Sequence, residues 1–187
     1  GAALAQRLRV PFADADDFHP AENIAKMSAG EPLDDDDRRP WLESIGVWLA
    51  EHADGGVMSC SALKRHYRDH LRDHAPTTLF AHLAGSVEVI SRRQASRPGH
   101  FMPPALLASQ FETLEQLTPD ERGLTVDVDQ SVDAIIDELV EALSNSSDLD
   151  AERHGQPRAE HEQPGEPADG GLFLGLGADH EARGVAQ

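Results

Sequence analysis

At 187 residues the chain has room for one hydrophobic core. Sixteen Lys and Arg against 34 Asp and Glu leave a formal charge of −18, so bulk electrostatics cannot hold a phosphodiester backbone and nucleic acid is not expected as a main partner. A single cysteine, Cys60, excludes an internal disulfide and a cysteine metal cluster, and no apolar run approaches the ~20 residues of a membrane helix. With no charged-then-apolar leader either, a soluble cytoplasmic protein without a membrane partner is the expectation.

In chain order, residues 1–8 read as a helix already under way, without the Ser, Thr, Asp or Asn that normally opens a first turn. The helix looks as though its beginning has been cut off. Residues 10–14 form a short strand. After the four aspartates at 34–37, which suit a helix N-terminus, Trp41, Leu42, Ile45, Trp48 and Leu49 recur with helical period. Gly55 and Gly56 lead into a buried strand at 57–61. A basic helix runs from Ala62 to about Asp73, a strand covers 77–83, and Ser86 starts a helix through Arg97. Residues 124–129 alternate as a strand, and Val132, Ile135, Ile136, Leu139, Val140 and Leu143 stripe a last helix. Strands alternating with helices predict an α/β fold, a parallel sheet flanked by helices.

Beyond Ser144 the pattern dissolves into Gly, Pro, Glu, Asp and His, too polar to offset chain entropy. The expected division is a folded domain over 1–143 and a disordered acidic tail over 144–187, whose removal should leave activity unchanged. One apolar run at 171–176 could dock somewhere but is far too short to span a membrane.

Asp14 and Asp16 close the first strand, and in open parallel sheets ligands sit at the carboxyl ends of strands. Alternate residues there diverge, so one carboxylate can handle a metal and the other a substrate hydroxyl; an ordinary solvated loop also fits. Lys64 and Arg68, four apart, share a helix face, as do Arg93 and Arg97; alone, such pairs are equally surface charge. His66, His70 and His74 stand at i, i+4 and i+8, a spacing that can bind zinc. They span two turns without support from cysteine, so a native metal site is not expected there. The run 34–37 lacks the Gly and terminal Glu of a calcium loop, and Cys60 is expected to be a buried strand residue.

These features do not stand alone. The runs Phe12-Ala13-Asp14-Ala15-Asp16-Asp17-Phe18-His19-Pro20, Asn23-Ile24-Ala25-Lys26-Met27, Gly30 to Leu42, Cys60-Ser61-Ala62-Leu63-Lys64-Arg65-His66-Tyr67-Arg68, Gly99-His100-Phe101 and Gln110-Phe111-Glu112-Thr113-Leu114-Glu115 occur in one order over about residues 1–143. Together they resemble the gluconokinase family. The resemblance implies a nucleoside-kinase-like fold and ATP- and Mg²⁺-dependent phosphorylation of the 6-hydroxyl of D-gluconate. By residue, it implies Asp16 as the carboxylate that orients and deprotonates the hydroxyl, and Asp14 as the Mg²⁺ holder through water. Arg38, Lys64 and Arg68 would bind the sugar-acid carboxylate, and His19 a hydroxyl, unless it merely caps the turn before Pro20. Arg93 and Arg97 would belong to a lid near 93–110 that closes on ATP, and Asp129 and Gln130 to an adenine-contacting loop. The oligomeric state stays open, homodimers being common among such kinases.

The family pattern also places a strand and a Gly-x-x-x-x-Gly-Lys-[Ser/Thr] loop ahead of a helix like residues 1–8, and these 187 residues contain no such loop. Without that strand the sheet should carry an open hydrophobic slot near its centre, and the chain alone should turn over little or no ATP. A non-catalytic remnant that binds gluconate or a partner is the alternative. A kinase for another small acid fits the paired aspartates but not residues 60–64.

Overall fold

The computed structural model describes residues 1–95, 104–152 and 170–177. Helix α1 (Ala2–Leu8) leads into strand β1 (Phe12–Asp14), a 3₁₀ turn (Ala15–Phe18) and helix α2 (Ala21–Ser28). Then come α3 (Asp35–Glu51), β2 (Gly56–Cys60), α4 (Arg65–His74), β3 (Leu79–Gly85) and α5 (Val87–Ala95). The chain continues through α6 (Pro104–Thr113), β4 (Gly123–Asp127), α7 (Val132–Glu152) and β5 (Gly170–Gly177). Strand and helix alternate as expected, and the class is α/β.

The sheet order is β1-β2-β5-β3-β4. β1 runs parallel to β2, with Asp14 opposite Ser59, and β3 runs parallel to β4. β5 lies antiparallel to both β2 and β3, pairing Val57 with Leu176 and Ala81 with Leu174. The sheet is therefore parallel in its two halves and joined by one antiparallel strand. The slot expected at the centre of the sheet is filled, and by the apolar run at 171–176. α7 continues past residue 143, where the tail was expected to begin, to Glu152, and residues 170–177 are sheet. The physical reason for the second is that β2 and β3 each present an edge of unpaired N–H and C=O groups, which an extended segment free of charge and proline can satisfy.

Successive strand residues point to opposite faces, and the two faces carry separate cores. Val57, Leu79, Ala81 and Val126 pack with Leu4 of α1, Val89 of α5 and Ile135, Ile136 and Leu139 of α7. Met58, Cys60 and Phe80 pack with Trp41, Leu42, Ile45 and Leu49 of α3 and Tyr67 and Leu71 of α4. Burial on both faces explains why β2 and β3 are near-continuously apolar. α3 starts where the aspartate run predicts. Asp34 accepts the Asp37 N–H at 2.8 Å while the Asp37 carboxylate accepts the Asp34 N–H at 3.1 Å, a reciprocal cap. Among the described residues no helix is long and apolar enough to cross a membrane.

Candidate active site

β1 ends at Asp14, and the 3₁₀ turn after it carries Asp16. Two bonds fix this turn. The Asp14 carboxylate accepts the Asp16 backbone N–H at 3.2 Å, and the buried Trp41 indole donates to the Ala15 carbonyl at 2.7 Å. Trp41 also stacks on His19, ring centroids 4.7 Å apart and 6° from parallel. Burial is the main reason His19 sits below its usual titration range; Asp16 opposes this and Arg38 adds to it, so the imidazole is neutral at pH 7.

Asp14 and Asp16 open onto a cavity of about 290 Å³, bounded also by Gly1, Ser59, Ser61, Arg93, Gln94 and Gln110. Leu4, Leu83, Ile90, Val128 and Ile136 form its apolar side. Ser59, opposite Asp14 in the sheet, is buried, and its hydroxyl is sealed with no hydrogen-bond partner among the described residues. A buried orphan hydroxyl facing a cavity is costly unless a ligand or water satisfies it. The cavity thus combines hard oxygen donors at strand ends with an apolar wall.

Arg93 of α5, one of the residues lining the cavity, donates to the backbone carbonyl of Gln130. Arg92 pairs with Asp129 at 3.2 Å, and the Gln130 side chain ties back to the Asp127 carbonyl and Glu138. The β4–α7 loop and α5 are therefore joined. Arg97 lies outside the described residues, as do 96–103 within the expected lid.

His19, Arg38 and Lys64 do not line the cavity; Arg38 and Lys64 gather beside Tyr67, where α3 meets α4. Lys64 Nζ donates to both Asp35 carboxylate oxygens at 2.8 and 3.1 Å, and Arg38 donates to the Tyr67 hydroxyl at 3.3 Å. The Tyr67 hydroxyl donates in turn to Asp35. Both cations approach the Tyr67 ring, at 5.4 Å for Lys64 and 5.8 Å for Arg38. The bonds from Lys64 and Tyr67 bring Asp35 down to about 2, and Asp35 raises Lys64 in return.

Arg68 corrects the sequence expectation. Although it shares a helix face with Lys64 in one dimension, it is wholly buried and pairs with Glu121, itself sealed, at 2.6 and 2.8 Å. Its remaining donors go to the carbonyls of Ala62, Leu63, Glu115 and Gln116. The guanidinium thus clamps the segment before α4 to the loop after α6 and does not line the cavity. Burial alone would raise Glu121, but bonds from Arg68 and the Thr118 N–H outweigh it and hold the carboxyl down at about 2.

No family model matches the chain. Single relatives do. The chain is 45% identical over 157 residues to a probable gluconokinase of Xenopus tropicalis, covering 74% of this chain and 83% of that protein. It is 40% identical over 144 residues to the thermoresistant gluconokinase of Escherichia coli, covering 75% and 82%. The chain belongs to the gluconokinase family. Solved structures agree: a sugar kinase from a Janibacter species superposes with TM-score 0.70 at 46% identity, covering 76% of this chain and 84% of that one. A gluconokinase from Sinorhizobium meliloti superposes at 0.64 with 46% identity, covering 78% and 87%.

Within this gluconokinase-family site, sequence reasoning missed Asp35, Tyr67, Ser59 and Glu121 as working parts. Tyr67 and Asp35 stand inside the matched runs, yet their contact joins residues 32 positions apart and has no local pattern. Ser59 looked like any small strand residue; only its pairing with Asp14 sets it at the cavity. Glu121 sits outside every run, so nothing marked it as the counter-charge of Arg68.

Proposed function

We propose that the cavity at the ends of β1 and β2 is where the γ-phosphoryl group of ATP is transferred to the 6-hydroxyl of D-gluconate. The observation that carries this is the convergence of Asp14, Asp16, the orphan Ser59 hydroxyl and Arg93 on one cavity with an apolar wall. Phosphoryl transfer asks for an oriented hydroxyl, fixed cations for developing charge and a place for the metal. Asp16, exposed at the cavity edge on a turn held by Trp41, aligns the acceptor hydroxyl and takes its proton. Arg93 lies on the side where charge develops. Lys64 and Arg38, with His19 as a neutral hydrogen-bonding group, meet the sugar acid and its carboxylate. Asp129, Gln130 and the apolar wall accept the adenine.

The donors fit Mg²⁺, a hard cation that takes carboxylate, hydroxyl and water oxygens. Asp14 would hold it through water with Ser59 beside it, and the ion would supply charge neutralisation on the phosphates. We also propose residues 1–143 as the kinase domain, with α5 and α6 flanking its lid.

The 187 residues lack a phosphate-cradling Gly-rich loop, so the chain alone is expected to turn over slowly or not at all. The test is an ATP-coupled assay on D-gluconate with this chain and with a version carrying a strand and such a loop ahead of Gly1. Turnover by the extended protein alone supports the reading. A folded extended protein inert toward D-gluconate overturns it.

A further inference from the structure

His70 and His74, one turn apart on α4, meet Glu43 of α3. Glu43 Oε2 lies 3.4 Å from His70 Nε2 and 3.2 Å from His74 Nε2, and one donor atom from each of the three residues falls within 4.8 Å of the others. His66, the next imidazole in the row, turns instead to Asp35, 3.6 Å away. The third group thus comes from across the helix pair rather than from another turn of α4.

Two features go beyond a carboxylate happening to lie near two imidazoles. The His74 ring sits in a notch on α3, because a Cβ on Gly46 would meet ring atoms at 2.6 and 2.7 Å. Gly46 is one turn on from Glu43, so one helix presents both the carboxylate and the gap that admits the imidazole. Secondly, His70 Nε2 is sealed from solvent and has no hydrogen-bond partner among the described residues, its Glu43 contact being too long or too bent to serve. Such an atom is poorly explained by hydrogen bonding and well explained by a missing ligand.

We propose that Glu43, His70 and His74 form a three-ligand site for a divalent first-row transition ion of the zinc type. Two imidazole nitrogens and one carboxylate oxygen are a borderline donor set; Mg²⁺ and Ca²⁺ prefer oxygen alone. Tetrahedral donors at about 2.0–2.1 Å from zinc stand about 3.3 Å apart, which two of the three separations already match. The fourth position is open to water. The ion staples α3 to α4 and shares no residue with the Asp14–Asp16 cavity. The field of a strongly acidic chain favours its arrival.

The experiment uses the full chain with no affinity tag, titrated with Co²⁺ and followed by visible absorption, then with Zn²⁺ by calorimetry and thermal melting. One equivalent should bind with the intense spectrum of four-coordinate cobalt, and Zn²⁺ should raise Tm while Mg²⁺ does not. H70Q and E43Q, which keep side-chain bulk, should weaken binding about tenfold or more, since even outer-shell changes cost that much. H66Q should change nothing. The proposal fails if cobalt gives only a weak six-coordinate spectrum, if H70Q and E43Q bind as the parent does, or if H66Q abolishes binding. Near-ultraviolet circular dichroism of each metal-free variant separates lost ligands from lost fold.

Discussion

The two faces of the sheet are built on opposite plans. On the α3–α4 face Lys64 is matched by Asp35, Arg65 by Asp69 and Asp120 and Arg68 by Glu121, while Arg38 lies against the Tyr67 ring and hydroxyl. On the α1–α5–α7 face aliphatic side chains leave a cavity of about 290 Å³ with a few oxygens at its floor. One face keeps fixed charges in fixed positions, and the other keeps room. A phosphotransferase needs both: reorganising charge during the reaction is costly, and a nucleotide has bulk.

The comparison predicts what mutation does on each side. The largest effect should come from the seam between them. Ending this chain at residue 165 removes β5, strips both β2 and β3 of a neighbour and should abolish cooperative urea unfolding. The same truncation in a version carrying an upstream strand should cost little if that strand takes the slot, which separates the two origins of the central strand. Next, on the open face, D16N in the extended, turnover-competent protein should lower kcat about 10²–10⁴-fold, the usual span for a positioned acid–base group, with melting unchanged. If melting falls as well, Asp16 is part of the scaffold and the contrast between the faces weakens.

On the packed face the order reverses, and stability suffers before activity. R68A leaves Glu121 buried and unpaired and should cost about 3–5 kcal/mol by urea denaturation, whereas R68M with E121L should cost much less than either single change. Glu121 also sets a pH limb. Its folded value, about 2, lies below the ordinary 4.5, so its contribution is complete above about pH 4.5 and is lost as pH falls toward 2. Asp35, held at about 2 against 3.8, adds to the same limb. Thermal melts across that range should steepen for the parent and flatten for E121Q. The smallest structural effect should be K64A, within about 1 kcal/mol because its ion pair is partly exposed, with a gluconate KM raised about tenfold through the lost charged contact.

What could be read from sequence followed locality. The strand ends, the α3 cap and the helix stripes are written in neighbouring residues, and the structure differs there by only a few positions except at the end of α7. That Asp14 and Asp16 stand where β1 ends was legible because a strand end carries positional meaning. Arg68 was not. Helical spacing says that Lys64 and Arg68 share a side, but it cannot say that the loop at 115–121 closes over the second of them. β5 was illegible for the same reason. A glycine-rich run in an acidic stretch has no strand signature of its own, and its conformation is set by two edges far away in the chain.

The Arg68–Glu121 pair also constrains how this protein can vary. A typical domain holds about 5–15 kcal/mol in reserve, and a lone charge left at either position, at about 3–5 kcal/mol, would consume roughly a fifth or more of it. Drift from the ionic pair to an apolar pair must therefore cross a valley in which one partner has changed and the other has not. The two positions should therefore vary as a unit: among functional variants, a neutral residue at 68 should be met only with a neutral residue at 121. A random library selected for folding alone would display that linkage, though the two residues stand 53 positions apart.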